Sequence, residues 1–173
     1  MYKVFQIKLA KEVTNYVNSN DRGHLGGEEK YPEYKAHMAV MRGAEGFTGD
    51  MFEHYTNVCN VAKDGGLVSG TNSPDPFIVD DLEEVFKILN GYYFDEDSGE
   101  DVVFDNHVSG YKMKTFERDG KTHEYRDMHS LSVGDIVYDV DKDTYNIVDS
   151  FGYKDVTAEI IANISGEVLN EVS

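Results

Sequence analysis

Carboxylates are the residues of this sequence with the greatest capacity for chemistry. Asp and Glu total 33 in 173 residues, against 16 Lys and Arg, and the formal net charge is −17. Such a charge keeps a protein soluble, repels nucleic acid and anionic membranes, and attracts basic surfaces. The acidic residues are concentrated in three groups, which hold Asp80, Asp81, Glu83 and Glu84; Asp95, Glu96, Asp97, Glu100, Asp101 and Asp105; and Asp139, Asp141 and Asp143. We predict that these residues contact a basic partner, and the simpler hypothesis is that they serve solubility alone.

The last group also suggests calcium. Asp139, Asp141 and Asp143 occupy the first three ligand positions of an EF-hand loop. That loop requires Gly at its sixth position and Glu at its twelfth, where this sequence has Thr144 and Ser150. The match is therefore weak.

A second acidic loop begins with Asp95 and Asp97, but its Gly99 comes one position early for the same motif. Solvated hairpin tips explain both loops better than calcium sites do. A divalent-cation-binding protein that uses the acidic hairpins remains an alternative hypothesis.

Histidine and nucleophile patterns indicate no active site. None of the six histidines stands four residues from another, the spacing that zinc-binding helices use. The sequence has no G-x-S-x-G turn and no phosphate-binding glycine loop. We predict a protein that is not an enzyme and needs no cofactor. A metal-dependent hydrolase of a nucleotide signal, with His37, His54 and neighbouring carboxylates as ligands, is a further alternative.

Apolar and cysteine content predicts a cytoplasmic protein. A lone Cys59 cannot form an internal disulfide and lies in an apolar stretch, as a core residue does. No apolar run approaches the ~20 residues of a membrane span. The first eight residues lack the features of a signal peptide.

The N-terminal half predicts one strand followed by helices. Apolar alternation predicts a strand over 2–8, with Tyr2, Val4 and Gln6 on one face. Apolar residues at helical spacing predict four helices, over 9–18, 28–42, 49–63 and 82–89. Glycines at 23, 26 and 27 predict a loop between the first two, and an acidic cap at Asp80 or Asp81 begins the fourth.

The C-terminal half predicts strands and a final helix. Apolar triplets around an acidic centre predict a hairpin over 92–105, and a further strand over 111–116 precedes a turn at Asp119-Gly120. Three strands over 136–140, 144–148 and 151–156 follow, and they also carry Asp135, Asp149 and Asp155 near their ends. A helix over 158–172 closes the chain. We therefore predict a single α+β domain over 1–173 with a C-terminal antiparallel sheet.

One stretch carries a family resemblance. The sequence reads HSLSVGDIV over 129–137, YNIV over 145–148 and FGYKDV over 151–156. This pattern, within 128–156, resembles the motif of YodL-type domains, which occur in small proteins of bacteriophages and other mobile elements. The resemblance implies an origin in such an element and no catalytic residues. Antirestriction proteins of the ArdA kind, which mimic DNA, are similar in size and charge.

The leading hypothesis joins the resemblance to the acidity. We predict a phage-encoded, non-enzymatic inhibitor of a host defence or DNA-handling protein. It would present its acidic rows to the basic groove of a nucleic-acid-binding host protein in the bacterial cytoplasm. It would bind neither nucleic acid nor membranes itself, and a homo-oligomer is compatible with the sequence.

Overall fold

The computed structural model describes residues 1–63, 81–90, 92–95, 100–103 and 108–172, with the backbone alone for 92–95, 100–103 and 165–172. The strands are β1 Tyr2–Ile7, β2 Tyr55–Val61, β3 Tyr92–Asp95, β4 Glu100–Val103, β5 Val108–Ser109, β6 Met113–Arg118, β7 Lys121–Arg126, β8 Ile136–Asp139, β9 Thr144–Val148 and β10 Tyr153–Asp155. The helices are α1 Lys11–Ser19, α2 His24–Lys30, α3 Pro32–Val40, α4 Leu82–Leu89 and α5 Thr157–Val172, and two 3₁₀ helices span Gly43–Gly46 and Gly49–His54.

Six strands form one antiparallel sheet in the order β10-β9-β8-β1-β2-β5. The central strand β1 pairs with β2 on one side and β8 on the other. Two further hairpins, β3-β4 and β6-β7, pair separately. These elements confirm the predicted α+β class.

Both faces of the sheet are covered. Tyr2 and Val4 point to the face on which α4 packs its buried Val85, Ile88 and Leu89. Residues of the opposite parity point to the other face, where α3, α5 and a 3₁₀ helix cover them; this core contains Ile7, Ala36, Val40, Phe47, Ile136, Ile147, Val156 and Ile160. The alternation predicted for the first strand is therefore confirmed, and burial of both faces is the main apolar contribution to stability.

The turns of the C-terminal half follow local backbone preferences. Asp119 and Gly120 both have positive φ, +53° and +72°, between β6 and β7. Two successive residues with positive φ form the type I′ turn that two-residue hairpins favour. The predicted turn at this position is confirmed, as are the strands β8, β9 and β10 and the helices α1, α4 and α5 within one or two residues.

The predicted helix over 49–63 is wrong. A 3₁₀ helix ends at His54, and the strand β2 begins at Tyr55. The register of β2 on β1 shifts between Val4 and Phe5, so that Val58 is an extra residue and both Val58 and Cys59 are buried. Because of this β-bulge, two adjacent apolar residues are buried, and the strand lacks the strict alternation that would have distinguished it from a helix.

The predicted helix over 28–42 is two helices, and the predicted glycine loop before it is confirmed only over 20–23. The chain breaks at Tyr31, whose φ and ψ are extended, because the residue before a proline disfavours helical backbone. Gly26 and Gly27 lie inside α2 rather than in a loop. A Cβ on Gly27 would lie 2.5 Å from Val17 Cγ2, so glycine permits α2 to pack closely on α1.

Within the described part of the chain, no helix combines the length and the hydropathy that a bilayer crossing requires.

Candidate functional site

The acidic start of α4 uses one carboxylate as a cap and leaves another exposed. Asp81 Oδ1 accepts a hydrogen bond of 2.9 Å from the N–H of Glu84, which satisfies one of the unpaired donors of the first turn. Glu84 Oε1 lies 3.6 Å from Lys87 Nζ. Glu83 is exposed and has no such local role in the structure. The negative charges of Glu83 and Glu84 also interact favourably with the positive end of the helix dipole.

The β8–β9 turn contains a buried ion pair. Asp139 is only 3% exposed, and its Oδ1 accepts a hydrogen bond of 2.6 Å from Lys63 Nζ. The same oxygen accepts the N–H groups of Asp141 and Lys142. Burial alone would raise the pKa of Asp139, but these hydrogen bonds outweigh it and hold the pKa below its ordinary value.

The two other carboxylates of this turn are also engaged by the protein. Asp141 Oδ2 lies 3.0 Å from Lys63 Nζ. Asp143 Oδ1 accepts a hydrogen bond from the Tyr138 hydroxyl, which raises the pKa of that tyrosine to about 12. The three residues of the weak EF-hand match therefore stabilise the hairpin.

The other carboxylates predicted to contact a partner belong to the β3–β4 hairpin or to residues that are not described. Asp95, Glu100 and Asp101 belong to the β3–β4 hairpin, of which the backbone is described. Asp80, Glu96, Asp97 and Asp105 lie outside the described residues.

Three cavities surround the edge strand β10, and each shares lining residues with another. One of about 540 Å³ lies between the start of α4 and the β8–β9 turn, and a second of about 530 Å³ lies beside the start of α5. The third, of about 590 Å³, lies between α4 and the β9–β10 turn. Among the residues that the structure describes, seven carboxylates and three cations line these cavities. The carboxylates, which we call the acidic surface, are Glu45, Asp81, Glu83, Asp139, Asp149, Asp155 and Glu159.

Backbone hydrogen bonds fix three carboxylates of the acidic surface. Asp81 caps α4, as described above. Asp155 Oδ1 accepts from the N–H of Thr157 at the start of α5, at 2.8 Å. Asp149 Oδ1 accepts from the N–H of Ser150 in the β9–β10 turn, at 2.9 Å. These charges are therefore held in defined positions by rigid elements.

A separate polar network joins the HSLSVGD segment to β1. Gln6 is fully buried, and its Nε2 donates to the His129 carbonyl at 2.9 Å and to Asp135 Oδ2 at 3.1 Å. The same Asp135 oxygen accepts the N–H of Ser132 at 2.9 Å and lies 3.6 Å from His129 Nδ1. Since buried polar groups need such partners, the network holds the segment in place.

This network borders a small cavity with titratable groups. The cavity, of about 280 Å³, is lined by His37, His129 and Asp135 among others. Burial raises the pKa of Asp135 to about 6, against the lowering effect of His129 and of the hydrogen bonds. Burial and the charge of His129 lower the pKa of His37. Shifted pKa values in a cavity are typical of functional sites and also of structural networks.

The raised pKa of Asp135 predicts a pH dependence of stability. The folded chain holds a proton on Asp135 that the unfolded chain releases above pH 3.8, the ordinary value. The contribution of Asp135 to stability therefore falls as the pH rises from about 4 to about 6, by up to about 3 kcal/mol. We expect Asp135→Asn to remove this fall, because asparagine does not ionise.

Urea denaturation between pH 4 and 7 measures this effect, with the exposed Asp21→Asn as the matched control. The stability of Asp135→Asn relative to the wild type should increase between pH 4 and about pH 6 and then level off. Asp21→Asn should follow the wild-type curve. Parallel curves for the wild type and Asp135→Asn would show that the carboxylate is not destabilised by burial.

The histidines of the hydrolase hypothesis lie in different surroundings. His37 faces the cavity beside His129, whereas His54 ends a 3₁₀ helix with its Nε2 3.3 Å from Glu53 Oε1. Among the described residues, no group of three or more His, Cys, Asp or Glu side chains has the arrangement of a metal site.

Sequence reasoning missed several residues that the structure brings together. Glu45 and Glu159 join the acidic surface only through the packing of distant elements, and no local pattern marks them. Gln6 gave a signal, because a polar side chain alternates with Tyr2 and Val4 on a buried face. Comparisons with protein-family models, curated proteins and solved structures gave no match.

Proposed function

We propose that this chain is a non-enzymatic inhibitor that binds a basic, nucleic-acid-binding host protein through its acidic surface. The carboxylates would take the place of phosphate groups in the groove of that protein. The resemblance of residues 128–156 to YodL-type domains supports an origin in a phage or another mobile element, and hence a target in a host defence or DNA-handling system.

One observation carries the proposal, which is the convergence of carboxylates around β10. Asp81 and Glu83 come from α4, Asp139 from the end of β8, and Asp155 from the end of β10, yet all four line one cavity. Asp155 also lines the adjoining cavity with Glu45, Asp149 and Glu159. Like charges repel, and Asp139 is already paired with Lys63. The other six carboxylates reduce stability where the three lining cations do not offset them, and a cationic partner would relieve this repulsion.

The rigidity of the acidic surface supports mimicry in particular. Duplex DNA carries one negative charge per roughly 1.7 Å of axis, at positions set by the double helix. A substitute surface needs carboxylates in fixed positions rather than on mobile loops. Asp81, Asp149 and Asp155 are fixed by hydrogen bonds from backbone N–H groups.

A pair of charge-matched variants tests the proposal. The first replaces Glu45, Glu83 and Glu159 of the acidic surface by glutamine. The control replaces Asp21 by asparagine and Glu33 and Glu124 by glutamine; these residues do not line the three cavities. Both variants lose three negative charges, so they differ only in where the charge is lost.

The immobilised variants and the wild type are used to capture proteins from a bacterial host lysate, at about 0.1 M and about 0.5 M salt. We expect the wild type and the control to retain the same nucleic-acid-binding protein at low salt and to lose it at high salt, because salt screens charge attraction. The acidic-surface variant should retain at least about fivefold less. Equal retention by both variants would show that the position of the carboxylates does not matter, and that the acidity serves only net charge and solubility.

A further inference from the structure

We infer that the third cavity beside β10 receives a bulky apolar side chain from a basic segment of the partner. The inference rests on the proposed function, because it assigns a second anchor to the same partner. Charge attraction alone would not distinguish one basic segment from another. A pocket for an apolar side chain would, because it favours segments that carry such a side chain.

The cavity differs in chemistry from the two cavities beside it. Its walls are formed mainly by apolar side chains of α4, of the HSLSVGD segment and of β9 and β10. These side chains, which define the apolar groove, are Phe86, Leu131, Val133, Val148 and Tyr153. Its volume of about 590 Å³ lies within the roughly 300 to 1,000 Å³ of ligand-binding pockets.

Exposed aromatic side chains flank this groove. Phe151 is 96% exposed at the tip of the β9–β10 turn, between Ser150 and Gly152, which both line the groove. Phe86, on the outer side of α4, is 39% exposed. A protein gains nothing in its own stability from an aromatic ring held in water, and aromatic residues of this kind are enriched at the centre of protein interfaces.

Charge at the rim selects the occupant. Glu83 and Asp149 line the groove, and no Lys or Arg does so among the described residues. An apolar side chain flanked by Lys or Arg would fill the groove and pair with the rim. A second copy of this chain, at a net charge of −17, would bring further negative charge to the same place.

Two synthetic peptides test the inference by fluorescence anisotropy. One holds a Phe-Leu pair flanked on each side by an Arg-Lys pair, and the other has Ser-Ser in place of Phe-Leu. We expect the first to bind the full chain at least about tenfold more tightly than the second, since apolar anchors dominate interface energies. This ratio should persist at about 0.5 M salt, where both peptides bind more weakly.

Variants of the groove locate the effect. Phe151→Ser removes an exposed ring, so its folding is not at risk, and Ser150→Trp places a bulky side chain at the mouth of the groove. Ser150→Trp should reduce the tenfold ratio to near unity, and Phe151→Ser, beside the groove, should reduce it in part, while the Ser-Ser peptide binds both variants as before. Phe116→Ser, an exposed aromatic on the β6–β7 hairpin, is the control and should leave the ratio unchanged.

The outcomes separate this inference from the proposed function. If both peptides bind equally, and the glutamine variant of the acidic surface weakens both, the acidic surface stands and the apolar groove is overturned. If neither peptide binds, the apolar groove is overturned, and the capture experiment with the charge-matched variants decides the proposed function separately. If sedimentation velocity shows that the wild type self-associates and Phe151→Ser does not, a second copy occupies the groove and the inference is wrong.

Discussion

Replacing Lys63 by alanine should lower the free energy of unfolding by about 3 kcal/mol at neutral pH. Lys63 Nζ bonds to the buried Asp139 at 2.6 Å, contacts Asp141 at 3.0 Å and lies 4.5 Å from the centre of the Tyr2 ring. Without Lys63, Asp139 would remain charged in the protein interior. Its hydrogen bonds from the N–H groups of Asp141 and Lys142 would remain, but no cation of the described residues would pair with it there. An uncompensated buried charge is among the most destabilising changes a single substitution makes.

The pH dependence of this penalty has a definite sign. The folded-state pKa of Asp139 lies below its ordinary value, so its contribution to stability is present above the ordinary pKa and is lost as the pH falls through the folded pKa. The difference between the wild type and Lys63→Ala should therefore be full at pH 7 and shrink below about pH 4.

A second substitution and a control make the test specific, with all proteins compared by urea denaturation. Adding Asp139→Asn to Lys63→Ala removes the stranded charge, and most of the lost stability should return. Lys142→Ala removes a cation from the same turn at an exposed position and should change stability by less than about 0.5 kcal/mol. Equal losses for Lys63→Ala and Lys142→Ala would contradict the buried ion pair.

Replacing Gly134 by alanine should also cost about 3 kcal/mol or more. Gly134 has a φ of +96°, which L side chains rarely adopt, and a Cβ there would lie 2.6 Å from the backbone oxygen of Val40. The backbone at the end of α3 cannot move away as a flexible side chain would. The substitution therefore combines a strained backbone with a displaced helix end.

Gly120→Ala separates the two contributions. Gly120 also has positive φ, +72°, but apart from its chain neighbours no atom of the described residues lies within 4 Å of its Cβ position. It should lose only about 1 kcal/mol, the cost of the backbone conformation. Thermal or urea unfolding of both variants measures the difference, and a Gly134→Ala loss no larger than that of Gly120→Ala would show that α3 does not press on this turn.

Local sequence patterns were sufficient to predict the helices and strands whose apolar residues keep a regular spacing. The strand at Tyr2–Ile7 keeps its alternation, and α4 has both an aspartate cap and apolar residues at helical spacing. The β2 strand was lost because its bulge at Val58 places two apolar residues in succession, a consequence of pairing with β1. The helical position of Gly27 could not be predicted, because its close neighbours, Val17 and Tyr34, are contacts that tertiary packing creates.

The candidate site was predictable in its chemistry and not in its geometry. The acidic groups were visible in the sequence, but Asp139 proved to be buried against Lys63, a residue 76 positions away. Conversely, Asp155 and Glu159 joined Asp81 and Glu83 around β10 only because α4 and α5 pack near the same sheet edge. The network of Gln6 with His129 and Asp135 likewise links residues more than 120 positions apart.

This division of the carboxylates sharpens the functional proposal. Those of the β8–β9 turn hold the chain together, so their removal would damage folding and binding alike. Glu45, Glu83 and Glu159 are exposed, and the described structure gives them no hydrogen bond or ion pair on which folding depends. They are therefore the positions at which a loss of binding reports on the partner.

Displacement of DNA is the most direct test of the central claim, that the acidic surface substitutes for nucleic acid. The captured host protein is bound to a fluorescent DNA duplex at about 0.1 M salt, and the wild type, the glutamine variant of the acidic surface and its charge-matched control are titrated in. We predict that the wild type and the control release the duplex at the same concentration, and that the glutamine variant requires at least about fivefold more. Binding of the chain while the duplex remains bound, or equal release by both variants, would contradict the claim.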